Sequence, residues 1–493
     1  MIKLCLLFLM GFSFVLPALS HDIKWIWLAG SEGSSEVTTP TNPGGRSGAA
    51  SASYWEQEFF KAVWLFGGEF HVDNSKPGLK NDLWKYSMLS QSWSMIHNGT
   101  GEKILEIPIR RQLAASCSLT ETYFVLYGGL GPGEKVLNDT WIFYAKDSKW
   151  YTLEDFRIKV GASNMSGNSW PGARGDMSVW CTDEYMYVFG GFNEDNGLHH
   201  DLWKFSLSTL SWTEAKSSAE LPADHEFVKH LNYPSGRSGA TTWVSGDKLF
   251  MFGGNIMANN LRSKHMMVGN TGDLWEYDIN EDLWSYHVGS RKVCNTAAKY
   301  GELGSASILN LPGCRRRAAA WTDVEGNLWM FGGDGIDNSQ ASLSVFSHSK
   351  LLSDIWFYDV ATSMWTWKGG EKLGDQKGKF GKRGQSSEDN LPGSRCESVA
   401  WEMENYFYLF GGVGHDAHGK DGYLNDIWQL DVHLDQSVYR NAPTAGPVFA
   451  MIFFSLGLVI FVSVLYLFSR RYFQVKPGSS RVSYSRIPQD QDS

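Results

Sequence analysis

Short apolar, aromatic-rich runs recur along most of the chain, separated by turn residues, and this is the pattern of β-strands. Each of six such runs ends in a diglycine: Gly67-Gly68, Gly128-Gly129, Gly190-Gly191, Gly253-Gly254, Gly332-Gly333 and Gly411-Gly412. A second run in each unit opens on an Asp two positions before a Trp, at Asp82, Asp139, Asp201, Asp273, Asp354 and Asp426. Eleven positions after the first five of these stands another Trp: Trp93, Trp150, Trp212, Trp284 and Trp365. The sixth unit has Ser437 there, and the missing Trp is found near the start, where Trp25-Ile26-Trp27 followed by Gly30 matches Trp365-Thr366-Trp367 followed by Gly370. The displacement predicts that the N-terminal strand completes the last unit, which removes an unpaired sheet edge.

Upstream of each diglycine stands an Arg: Arg46, Arg111, Arg174, Arg237, Arg315 and Arg395. In four units a Trp follows it by six positions (Trp180, Trp243, Trp321, Trp401), and Cys117 takes that place in the second. These residues resemble the kelch repeat, from Trp25 to Val432. The resemblance implies an all-β fold: a six-bladed kelch β-propeller with four antiparallel strands per blade, closed by the N-terminal strand. The units are longer than the roughly 50 residues of a kelch repeat, so the extra length is expected in loops.

The ends change the picture. Lys3 followed by an apolar run to Leu19 reads as a signal peptide over residues 1–20, cleaved near His21. Residues 447–468 carry no charge, enough to cross a bilayer of about 30 Å as one transmembrane helix. Arg470 and Arg471 follow at once, which places the tail in the cytosol. The expected organisation is therefore a signal peptide at 1–20, a propeller at 21–432, a linker at 433–446, a C-terminal transmembrane helix at 447–468 and a cytoplasmic tail at 469–493. That is a single-pass type I membrane protein of the plasma membrane or an endosomal or lysosomal membrane.

Net charge is -9, with no basic stripe, which excludes nucleic acid as a partner. Three sequons, Asn98, Asn138 and Asn164, fit secretion and glycosylation. Few cysteines remain beyond the signal, so the core and not a disulfide framework is expected to hold the fold; the expected bridge joins Cys294 to Cys314, in one connection.

Chemistry is sparse. There is no Gly-rich phosphate loop and no Gly-x-Ser-x-Gly nucleophile motif, which leans against an enzyme, and no cofactor is implied. The six arginines start the strand nearest the propeller axis and are candidate ligand-binding residues for a carboxylate, phosphate or sulfate. Because every unit carries one, the favoured reading is that each closes its own blade by bonding a loop carbonyl or nearby carboxylate, with a ligand role open for a subset. His415, Asp416 and His418, with Asp334, Asp337, Glu194, Asp195, His199 and His200, are metal-ligand types on loops, but spacing in loops does not define a metal site. In the tail, Tyr484 and Ile487 frame a Tyr-x-x-apolar pattern that resembles the sorting signal read by clathrin adaptors.

Connections between second and third strands, and between units, are long and lie on one face; the remaining turns are short. Function is expected on the long-loop face, on the loops at 255–272, 291–313, 334–353 and 371–393. The reading is a binding module for an extracellular protein or glycan, with a membrane-anchored lumenal enzyme of carbohydrate type, its site at the channel mouth, as the alternative.

Overall fold

The apolar runs become strands buried along nearly their whole length, as in Phe60–Phe66 and Leu328–Gly335, which is the pattern of strands covered on both faces. The diglycine follows the second strand in units 1, 3 and 4 and lies within it in units 2, 5 and 6. The computed structural model describes residues 23–432 apart from 35–37, 58–59, 74–75, 100–105, 121, 163–168, 196, 217–232, 260–265, 293–295, 341–348 and 404–405. The chain divides into two units, Met1–His433 and Leu434–Ser493, and every described residue lies in the first.

The strands form separate antiparallel sheets. Sheet 1 runs Ala50–Gln57, Phe60–Phe66, Leu83–Ser87, Ser92–His97; sheet 2 runs Ala115–Thr120, Tyr123–Leu130, Val136–Tyr144, Lys149–Thr152. Sheet 3 runs Ser178–Cys181, Tyr185–Phe189, Leu202–Ser206, Ser211–Lys216; sheet 4 runs Thr241–Ser245, Lys248–Phe252, Gly272–Asp278, Leu283–Ser290. Sheet 5 runs Ala319–Thr322, Leu328–Gly335, Lys350–Asp359, Met364–Gly369. Sheet 6 takes Val399–Met403, Tyr406–His415 and Asp421–Asp431, and its fourth strand is Lys24–Ala29, with Trp25 opposite Leu430 and Trp27 opposite Trp428.

The core lies between sheets. Trp64, Phe66 and Leu83 of sheet 1 share one buried cluster with Phe124, Phe143 and Trp150 of sheet 2, and Val63, Trp84 and Trp93 of sheet 1 share another with Trp401, Phe410 and Ile427 of sheet 6. Edge-to-face aromatic pairs such as Phe66 with Trp150, 5.1 Å between centroids, fill these wedges, each contributing about 0.5–1.5 kcal/mol beyond area burial. First-strand tryptophans stitch neighbours together: Trp180 donates to the Phe250 carbonyl, Trp243 to that of Trp329 and Trp321 to that of Tyr408.

The expected fold class needs correction. The structure supports mostly β architecture of kelch-like sheets, and not the expected closed six-bladed propeller with a transmembrane helix: each hydrogen-bonded ladder stops at its own sheet's edge, and neighbouring sheets meet through shared aromatic clusters and isolated bonds. A membrane-crossing helix needs about 20 apolar residues, and among the described residues no helix is long and apolar enough; the α-helix present, Leu153–Lys159, is short. The expected span at 447–468, the signal peptide, the linker and the tail lie outside the described residues. The expected membrane anchoring, the type I topology, the plasma-membrane, endosomal or lysosomal location, and the expected extracellular ligand and clathrin adaptor all leaned on that span, and the described structure does not support them.

Candidate functional site

Each unit arginine is buried and locked to the unit's Asp, which lies just before or within the third strand. Arg46 Nη1 and Nη2 donate to the two carboxylate oxygens of Asp82 at 2.9 and 3.0 Å, and Nη1 also donates to the Gly67 carbonyl. Trp84 Nε1 donates to the same carboxylate at 2.8 Å. The arrangement repeats as Arg111 with Asp139, Arg174 with Asp201, Arg237 with Asp273, Arg315 with Asp354 and Arg395 with Asp426. Burial pushes the Asp82 carboxyl up, but the Arg46 charge and the hydrogen bonds from Arg46 and Trp84 outweigh it and hold the pKa below the ordinary value; Asp139 and Asp201 are lowered in the same way.

The diglycines serve the same clamp. Gly67 has φ +68, and a Cβ there would sit 2.6 Å from the carbonyl oxygen of Arg111 in the next unit. Only glycine permits both that backbone and that approach. The next residue completes the link, since Gly68 N–H donates to the Arg111 carbonyl and Gly412 N–H to that of Arg46.

Two residues beyond each arginine the backbone turns left-handed, at Gly48, Leu113, Asp176, Gly239, Arg317 and Glu397. These six are joined in a cycle of backbone hydrogen bonds. Leu113 donates to Gly48, Asp176 to Leu113, Gly239 to Asp176, Arg317 to Gly239, Glu397 to Arg317 and Gly48 to Glu397, all between 2.8 and 3.2 Å. A left-handed non-glycine residue costs about 1–2 kcal/mol, which the cycle offsets. Arg317 lies across it, pairing with Asp176 at 2.9 Å and with Glu397. Burial works against the Arg317 charge, but the two carboxylates prevail and raise its pKa. Gly239 makes room: a Cβ there would be 2.9 Å from Asp176 Oδ2 and 3.0 Å from Arg317 Cγ.

Beyond this latch a cavity of about 650 Å³ is lined by first strands of all six sheets, with Trp55, Thr120, Thr182, Val244, Thr322 and Glu402 at its far end. Cys181, in a disulfide with Cys117, also lines it. That bridge joins sheets 2 and 3 and was missed from sequence, although the two cysteines occupy near-equivalent positions in successive units.

On the long-loop side two connections share a sequence: Lys299-Tyr300-Gly301-x-x-Gly304-x-x-Ser307-x-x-Asn310-Leu311-Pro312-Gly313 and Lys379-Phe380-Gly381-x-x-Gly384-x-x-Ser387-x-x-Asn390-Leu391-Pro392-Gly393. Asn310 Nδ2 donates to the Ser305 and Trp365 carbonyls, and Asn390 Nδ2 to those of Gln385 and Trp25. Gly304 and Gly384 donate to the carbonyls of Trp367 and Trp27. Each loop is thereby seated on the fourth strand of a sheet, the first on sheet 5 and its twin on sheet 6. Their tips differ. The first exposes Leu303, Ile308 and Leu309 at 60, 78 and 70%, whereas the twin exposes Lys382, Arg383, Glu388 and Asp389.

Asn98 and Asn138 are exposed, and Asn164 lies outside the described residues. Cys314 is disulfide-bonded; its expected partner Cys294, like Tyr484 and Ile487, lies outside the described residues. Asp416 accepts from the backbone of Ser34, His418 and Lys420, and Asp337 from Ser339 and Gly374, so both carboxylates organise loops. Among the described residues no group of His, Cys, Asp and Glu could hold a metal ion.

Residues 161–367 match the KLHDC2/KLHL20/DRC7 Kelch-repeats domain. Kelch domain-containing protein 1 of Homo sapiens is 20% identical over 401 residues, covering 74% of this chain and 76% of that protein. Kelch domain-containing protein 3 of Homo sapiens is 22% identical over 223 residues, 43% of this chain and 49% of that protein. Tip elongation aberrant protein 3 of Schizosaccharomyces pombe (strain 972 / ATCC 24843) is 29% identical over 174 residues, 31% of this chain; the match spans only 15% of its length, and 17% of that of Tip elongation aberrant protein 1. The chain thus carries a distant homology to kelch-repeat domains, a β-sheet architecture that could mediate protein interactions.

Proposed function

We propose, from that distant kelch homology, that this chain is a protein-interaction module whose docking surface is the long-loop side of sheets 4 to 6. The observation that carries the reading is the apolar tip of Leu303, Ile308 and Leu309, held on a loop pinned at both ends to a sheet. Val268, on the strand Met266–Asn270, and Leu373, at 56 and 49% exposure, add apolar surface, and apolar side chains presented from a rigid scaffold are what a partner buries. The six arginines belong, in this reading, to the scaffold, because each guanidinium is consumed by its own carboxylate and carbonyls. Asn98 and Asn138, if glycosylated, stand on units 1 and 2 and leave these loops open.

The test is a photo-crosslinking amino acid at Ile308 of the full chain in cells, with Val324, 64% exposed in a sheet 5 turn, as control. A discrete protein adduct at 308 and none at 324 is expected. Adducts of equal yield and composition at both positions would remove the proposal.

A further inference from the structure

Between the twin loops lies a cavity of about 340 Å³, lined by Leu303 from the first, by Lys379, Glu388, Asp389 and Leu391 from the second, and by Trp25 and Lys368 from the strands beneath. Lys368 is 8% exposed. Its Nζ lies over the rings of Phe357 and Trp329, 5.0 and 6.0 Å from their centroids, and among the described residues no carboxylate is paired with it. Two acidic groups of the cavity wall are engaged elsewhere, Glu371 with Lys379 at 2.9 Å and Glu388 with Lys24 at 3.6 Å, and the third, Asp389, is exposed on the loop tip. A cation removed from water without a counter-charge is costly. Burial accordingly brings the Lys368 ammonium down to a pKa of about 8. Such a group gains more than a surface lysine from an arriving carboxylate, because part of its desolvation is already spent.

We infer that this cavity is a carboxylate-accepting docking site, in which Lys368 receives an Asp or Glu side chain of a partner protein while the partner's adjacent apolar residue packs on Leu303. The inference rests on the docking reading above and deepens it. Two features select this occupant: the unpaired cation fixes the sign of the incoming charge, and the exposed leucine on the rim fixes the apolar neighbour. An anion alone would leave Leu303 uncovered. A purely apolar segment would seal Lys368 away from water with no partner.

The experiment uses two pools of fluorescent seven-residue peptides with acetylated and amidated ends, so that no terminal carboxylate is present, sharing a central Leu-Glu in one pool and Leu-Gln in the other. Fluorescence polarisation is read with the full chain, with Lys368→Met, with Lys368→Arg, and with the first loop's tip rewritten as its twin by Leu303→Arg, Ile308→Glu and Leu309→Asp. The acidic pool is expected to bind the natural chain about ten-fold or more tighter than the amide pool. That preference should vanish in Lys368→Met, survive in Lys368→Arg, and weaken with the rewritten tip. Equal binding of the two pools, or a preference that survives Lys368→Met, overturns the inference, as does the absence of binding by either pool. If binding of both pools depends on the tip and not on Lys368, the carboxylate site falls and the docking surface stands. If it depends on neither, both fall.

Discussion

Replacing Arg315 by Ala and, separately, Arg111 by Ala removes the same buried side chain from two places that differ in what is left behind. Both guanidinium groups are fully buried, but the partner of Arg315, Asp354, has a side chain 0% exposed, whereas Asp139, the partner of Arg111, is 36% exposed. After Arg315→Ala the Asp354 carboxylate keeps two donors, Trp356 Nε1 at 2.7 Å and Tyr300 Oη at 3.0 Å, in a place shielded from bulk solvent. A buried charge orphaned in this way costs about 3–5 kcal/mol. After Arg111→Ala, Asp139 keeps Trp141 Nε1 at 2.7 Å and rehydrates, so the loss is that of hydrogen bonds to a charged group, about 1–3 kcal/mol. Urea denaturation of the full chain, followed by tryptophan fluorescence, should therefore place Arg315→Ala below Arg111→Ala by about 2 kcal/mol. Arg111→Ala costing as much as Arg315→Ala would refute the reasoning that burial of the carboxylate sets the value of the clamp.

Other outcomes follow from the same geometry. Asp82, Asp139 and Asp201 have pKa values below ordinary, so each contributes stability above about pH 4 that is lost as pH falls through its folded value; acid titration should show a limb that becomes shallower in Asp82→Asn. Gly239→Ala should destabilise more than Gly246→Ala, since both have positive φ but a Cβ at 246 meets nothing within 4 Å; equal melting temperatures would dismiss the Arg317 latch. Cys117→Ser should cost about 2–4 kcal/mol, and non-reducing peptide mapping should recover the linked Cys117 and Cys181 peptides; free thiols at both would dispose of the bridge. Lys368→Met should raise stability at pH 7, where a lysine of depressed pKa is held charged against its burial, and the gain should shrink toward pH 10 as the unfolded chain also loses its proton.

What the amino-acid sequence made legible is what it repeats. Asp, Trp, diglycine and Arg recur because each unit solves the same local problem, and the strands can be read from them directly. That each arginine closes its own unit was the favoured reading of the sequence, but the pairing of Arg46 with Asp82, 36 positions apart, was not legible residue by residue, since forked recognition of a ligand and of an internal carboxylate demand the same side chain. Arg317, Asp176 and Glu397 come from three different units, and nothing in their local spacing announces that one arginine crosses a glycine to reach two carboxylates. The twin loops are legible too, since their shared Lys, Gly, Ser, Asn and Pro positions are visible in the chain, but loop length alone does not reveal their agreement in register. The membrane reading came from the ends, where the pattern of charge stood alone without a described structure to support it.

The most direct test of the account places a photo-crosslinking amino acid at Leu373, on the loop beside the apolar tip, in the natural chain and in the chain carrying Leu303→Arg, Ile308→Glu and Leu309→Asp. The account requires a protein adduct in the first and its loss in the second, with unchanged melting temperature because the twin loop already carries those side chains on the same backbone. An adduct of undiminished yield in the rewritten chain would contradict it.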